Sequence, residues 1–162
     1  IFLKKASDYG TSWRVLRTIS IVDQIFIKAQ RIKTIQQKGA QKVGEDVSSE
    51  FRGIVNYGII GLIQLSLKQD LPVQQIATWY DEKLGMAQAI MQDKNHDYGE
   101  AWREMSQESF VDLILMKLMR IRQILSNEGK TLISEGIDAN YLDIINYALF
   151  GLILVAEGKH QG

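Results

Sequence analysis

The chain has 162 residues, 46% of them hydrophobic, with 19 basic against 19 acidic side chains and no net charge. That is enough for one compact domain with its own core, and it leaves no strong field to draw the protein to nucleic acid or an acidic membrane. With no cysteine there is neither a disulfide framework nor a thiolate metal site, which fits a reducing compartment and makes the cytoplasm the default location.

A single proline, Pro72, and almost no strand-like alternation predict an all-α chain. In chain order, a helix is expected over Thr11–Gln37, a loop through Gly39–Gly44 and a helix over Val47–Lys68. Asp70 followed by Pro72 marks a helix start, since proline is tolerated where the first amides lack partners. From there Val73–Lys94 runs as one helix into the breaker Asn95–Gly99. Next comes a helix over Glu100–Asn127, with Phe110, Ile114, Leu118, Ile121 and Leu125 on one face, stopped by Gly129. The last helix spans Ile137–Glu157. The most apolar runs, Ile54–Leu67 and Ile144–Ala156, are about 14 and 13 residues and carry Asn and Tyr, so they read as buried helices and not as membrane spans.

The same plan is written twice. Shifted by 89 residues, Lys5, Asp8, Tyr9, Gly10, Trp13, Arg14, Ser20, Asp23, Lys28 and Arg31 fall on Lys94, Asp97, Tyr98, Gly99, Trp102, Arg103, Ser109, Asp112, Lys117 and Arg120. After one inserted residue the offset is 90, and Glu45, Asn56, Tyr57 and Gly61 fall on Glu135, Asn146, Tyr147 and Gly151. The chain therefore divides into repeat 1 (residues 1–68) and repeat 2 (69–162), expected to pack as one pseudo-twofold bundle. Ile1 aligns with Ile90, inside the first helix of repeat 2, so only Ile1–Lys5 is expected to remain of the matching helix in repeat 1. Gly58, Gly61 and Gly151 interrupt very apolar helices at roughly 1 kcal/mol each, which a close helix crossing would offset. The third helices of the two repeats are therefore expected to meet near Gly61 and Gly151.

Three groups of residues are candidates for chemistry. The motif Lys-x-x-Asp-Tyr-Gly-x-x-Trp-Arg, at Lys5–Arg14 and Lys94–Arg103, suits a helix-to-helix corner in which Asp caps, Gly takes a positive φ and the aromatics anchor. Alternatively Tyr98 and Trp102 form a base-stacking wall. Lys117 and Arg120, one turn apart, are placed to hold a phosphate, or else to pair with acids on the neighbouring helix. Repeat 2 alone carries Glu100, Glu104, Glu108 and Asp112 at four-residue steps, and Asp143 where repeat 1 has Gly53. Carboxylates on facing helices suit Mg²⁺, so Glu108, Asp112, Glu135 and Asp143 are the candidate ligands; the competing reading is a solvated acidic stripe. If the metal set is real, Asp143→Asn is expected to abolish metal-dependent binding while hardly altering stability. His96 and His160 have no partner spacing, and no phosphate loop, nucleophile elbow or zinc pattern occurs.

The corner Lys94–Arg103, followed by Asp112, Lys117 and Arg120 and then by Ser134-Glu135-Gly136 and Asp143-Ile-Ile-Asn146-Tyr147, resembles the helical family called nucleotide modification associated domain, first type. Both repeats share the likeness, which implies nucleotide handling linked to nucleotide or base modification. A more distant similarity is to the MazG-like all-α nucleoside triphosphate pyrophosphohydrolases and dimeric dUTPases, whose helices present paired acids to Mg²⁺. Here the chain departs, because Glu135 and Asp143 are eight residues apart and the second helix has no Glu-x-x-Glu. The leading expectation is a nucleotide-binding helical protein, with Mg²⁺-dependent hydrolysis of nucleotide phosphates as the implied reaction and room for a homo-oligomer. The alternative is a non-catalytic all-helical interaction or scaffold module.

Overall fold

The computed structural model describes residues 15–38, 43–66, 73–98, 101–127 and 136–157. They form α1 (Thr18–Lys38), α2 (Val43–Ser66), α3 (Val73–Tyr98), a 3-10 turn (Ala101–Glu104), α4 (Gln107–Ser126) and α5 (Ile137–Ala156). No strand occurs among the described residues. The Asp8-Tyr9-Gly10 corner, Gly99, Glu100, Glu135 and the side chains of Asp97 and Tyr98 lie outside them, so the corner geometry expected from the sequence is not placed.

One helix boundary changes the meaning of the acidic ladder. The expected helix over Glu100–Asn127 is broken at Met105–Ser106: Ser106 is extended (φ −75°, ψ 149°) and its hydroxyl accepts a bond from the Ser109 amide at 3.3 Å. A serine in this position satisfies one of the orphan first-turn amides. Glu104 therefore sits on the 3-10 turn and not on the helix that carries Glu108 and Asp112, and the four-residue ladder is not a single stripe. The equivalent of Ser106 in repeat 1 is Arg17, whose carbonyl receives the Ser20 and Ile21 amides at 3.0 and 3.1 Å, so α1 begins at Thr18 and not at Thr11. Helix α2 starts earlier than expected, at Val43, and α3 runs on to Tyr98.

The core is built on a reciprocal contact. Helices α2 and α5 cross antiparallel, and each lays an aromatic ring over a glycine of the other. A Cβ on Gly61 would stand 2.6 Å from the Tyr141 ring, and one on Gly151 would stand 2.5 Å from the Phe51 ring. Gly61 and Gly151 are equivalent positions, as are Phe51 and Tyr141, so the two contacts are related by a pseudo-twofold axis between the helices. The glycines do not touch each other, but they do permit the close crossing. Around this pair, α1 packs on α2, α4 on α5 and α1 on α4, enclosing Ile21, Ile25, Ile54, Ile59, Ile114 and Leu118.

A second reciprocal set joins α1 to α4, also antiparallel. Arg122 Nη2 reaches Asp23 Oδ1 at 3.0 Å, and Lys33 Nζ reaches Asp112 Oδ1 at 4.0 Å. Asp23 corresponds to Asp112 and Lys33 to Arg122, so one bridge is the symmetry image of the other.

Helix α3 packs against α2 and α5. It delivers the Tyr80 hydroxyl to Asn56 Oδ1 at 2.6 Å. Burial, with the neighbouring Asp81 carboxylate, pushes the Tyr80 phenol up, so it remains a protonated donor. Tyr80→Phe is expected to cost about 1 kcal/mol in urea denaturation, and an unchanged midpoint would show that this bond does not help dock α3.

The whole of α5, Ile137–Ala156, is by length and composition alone apolar enough to cross a membrane, although the Ile144–Ala156 run within it is shorter. Its apolar character has a nearer cause: Tyr141, Ile144, Ile145, Ala148 and Leu154 are buried in the bundle.

Candidate functional site

Polar residues spaced three apart on a helix share a face, and Asn140, Asp143 and Asn146 bring such a face of α5 into the bundle. Lys117 reaches it from α4, with its Nζ 2.9 Å from Asp143 Oδ2 and side-chain exposures of 8% and 15%. Asn140 donates from Nδ2 to the Gly136 carbonyl at 2.8 Å, while its Oδ1 is buried without a partner. Asn146, only 3% exposed, has neither carboxamide atom hydrogen-bonded. Unpaired buried polar atoms are costly, at about 1–3 kcal/mol each, so their concentration beside a buried ion pair marks this seam as unusual.

Repeat 1 arranges the same chemistry differently. Gly53 replaces Asp143, and the Lys28 stem lies over it, with Cδ and Cε 2.8 Å from where a Cβ would be. The acid has moved one helical turn, to Glu50, which meets Lys28 Nζ at 3.8 Å and Arg31 Nη1 at 2.7 Å. The equivalent of Glu50 in repeat 2 is Asn140. Asn56, the counterpart of Asn146, takes a bond from Tyr80 on α3, which belongs to repeat 2, so the seam of repeat 1 is closed by the other repeat where that of repeat 2 leaves polar atoms unused.

The remaining expected site residues disperse. Glu108 is exposed in the first turn of α4. Asp112, one turn on, faces Lys33 of α1 and is therefore on the other side of α4 from Asp143. Among the described residues no three His, Asp or Glu side chains gather as a metal site, and Glu135 is outside them. Lys117 and Arg120 part company as well: Lys117 turns inward to Asp143, while Arg120 is exposed. Tyr98 ends α3, with its side chain outside the described residues. Trp102 is packed as an anchor, its ring stacked on Phe150 at 4.4 Å with the Arg103 guanidinium 4.6 Å from its centroid. Arg103 is held in turn by Glu157. A ring engaged by two neighbours is a poor platform for a base.

Sequence reasoning passed over Asn140 and Glu50. For Asn140 the signal is a polar residue between Ala139 and Tyr141, three residues from Asp143 on the same helix; Glu50, three residues from Val47 and from Gly53, carries no such signal.

The fold and the seam define a duplicated, antiparallel all-α bundle with one polar seam per repeat, alike in position and different in content. The family described as Nucleotide modification associated domain 1 matches residues 5–65 and again 94–155, with starts 89 residues apart and ends 90 apart, the same two offsets as the internal duplication. The chain belongs to this family, as two tandem copies of its domain. No curated protein and no solved structure matches the chain, and the likeness to MazG-like enzymes gains no support from these comparisons.

Proposed function

We propose that repeat 2 binds a nucleotide at the α4–α5 seam. The carrying observation is Asn146, buried with both carboxamide atoms unpartnered beside the Lys117–Asp143 pair. Its NH₂ suits a phosphate or ribose oxygen, and its carbonyl suits a hydroxyl donor. Lys117 supplies the positive charge for a phosphate. Of the described carboxylates considered for Mg²⁺, Asp143 alone lies at this position, already ion-paired with Lys117, since Glu108 and Asp112 face away. Were Mg²⁺ to bind there, Asp143 would help to hold it and the ion would supply positive charge toward a phosphate. The family description, which associates the domain with nucleotide modification, favours a nucleotide over other phosphate compounds.

A thermal-shift screen of mono-, di- and triphosphates with and without Mg²⁺ tests this reading, because a ligand at 100 times its Kd stabilises by about 2.7 kcal/mol. Asn146→Leu is expected to abolish the shift while leaving the ligand-free protein at least as stable, since it removes unpaired buried polar atoms. Asn56→Leu, which breaks the Tyr80 bond, is expected to lower stability yet keep the shift. If no nucleotide shifts the wild-type protein, or if Asn146→Leu responds like it, the reading fails.

A further inference from the structure

The α1–α4 layer carries an apolar centre inside a charged frame. Ile27 on α1 is 59% exposed, and Met116 and Met119 on α4 are 44% and 51% exposed, beside the half-buried Phe26 and Leu115. Because α1 and α4 are antiparallel, these side chains cluster about the pseudo-twofold axis. Asp23 and Arg122 bound the cluster at one end, and Lys33 and Asp112 bound it at the other. Ten residues separate the two ends along each helix, about 15 Å at the helical rise. The four charges alternate around the centre, acid and base facing each other across the seam and again along each helix.

That alternation selects an occupant. If a second copy is laid face to face and turned by a half-turn about the line running between α1 and α4, its Arg122 falls over Asp23, its Asp23 over Arg122, its Asp112 over Lys33 and its Lys33 over Asp112. All four corners are then complementary while the apolar centres meet. A half-turn about the in-plane line across the helices also sets acid on base, Asp23 over Lys33 and Arg122 over Asp112, whereas a half-turn about the diagonal stacks like charge on like, so the charge pattern favours a second copy with its helices aligned along the first. The two helices offer a face roughly 30 Å long and 20 Å wide, of the order of the about 800 Å² per partner that a standard interface buries. We infer that the α1–α4 layer is an isologous homodimer interface, with Ile27, Met116 and Met119 at its centre and Asp23, Lys33, Asp112 and Arg122 as its matching frame. The polar seam of repeat 2 lies on the other side of α4 and stays clear of this surface.

Sedimentation equilibrium of the full chain at micromolar concentration tests the inference. The wild-type protein is expected at twice the chain mass, and Ile27→Glu at the chain mass. A variant with Asp23→Lys and Asp112→Lys has four positive corners, and one with Lys33→Glu and Arg122→Glu has four negative corners; each alone is expected to be monomeric. Mixed in equal amounts, they are expected to form a one-to-one heterodimer. The bridges lost within each chain are exposed pairs worth about 0–1 kcal/mol, so both variants are expected to fold, as checked by circular dichroism, with Met116→Ser as the milder substitute if either does not. A monomeric wild-type chain, a dimeric Ile27→Glu, or two charge variants that ignore each other would overturn it.

Discussion

Asp143→Asn is expected to lower the stability of the protein by about 3 kcal/mol, the lower part of the range for removing one member of a buried ion pair. The cause is Lys117, 6% exposed and 2.9 Å from the carboxylate it would lose. An ammonium in that position has no water to replace its partner. This reverses the expectation from sequence, in which Asp143 was a ligand that could be neutralised at little structural cost. The double variant Lys117→Met with Asp143→Leu is expected to recover most of the loss, because two apolar groups of similar volume need no desolvation of charge. Glu50→Gln in repeat 1 is expected to cost less than about 1 kcal/mol, since Arg31 is half exposed and Lys28 a quarter exposed. Urea midpoints for these variants separate the two pairs, and equal losses at Asp143 and Glu50 would show that burial does not control the difference.

Gly61→Ala and Gly151→Ala are each expected to destabilise by about 1–3 kcal/mol, although alanine is the better helix former by about 1 kcal/mol. The added Cβ would lie 2.6 or 2.5 Å from ring atoms of Tyr141 or Phe51, and a packed ring cannot retreat as a flexible chain end can. Phe51→Leu is expected to rescue Gly151→Ala in part and not Gly61→Ala, because each ring covers one glycine. Gly85 on α3, with nothing within 4 Å of its would-be Cβ, supplies the control: Gly85→Ala is expected to raise stability, by up to about 1 kcal/mol. Thermal unfolding reads all three. A gain at Gly61 or Gly151, matching that at Gly85 in sign, would mean that the helices can move apart freely.

The duplication and the all-α class were legible because both rest on periodicity, which survives without knowledge of contacts. The glycines signalled a close crossing for the same reason, since their cost in an apolar helix asks for a partner. What touches them was not legible: a glycine in sequence does not say whether it meets another glycine or an aromatic ring. The acidic ladder misled because four-residue spacing implies a face only if one helix runs through it, and Ser106 ends that condition between Glu104 and Glu108. Asp23 and Asp112 were retained in both repeats for a reason visible only in space, the paired bridges to Arg122 and Lys33 across the seam. For Lys117 the charge was legible but not its direction, because a residue at the edge of an apolar stripe can turn to either neighbour.

The rings of Phe51 and Tyr141 carry a historical implication. A contact in which position i of one unit covers position j of the other, and the reverse, is what two identical single-repeat chains would make in a symmetric pair. Joining such chains end to end leaves the geometry intact but ends the obligation of both halves to change together. Phe51 and Tyr141 record that release: the tyrosine hydroxyl is buried with no partner, a tolerated addition on one side only. Gly53 and Asp143 record it more strongly, because a carboxylate stands at this position in one half and not in the other. Fusion of this kind lets one repeat keep the scaffold while its twin acquires a different chemistry.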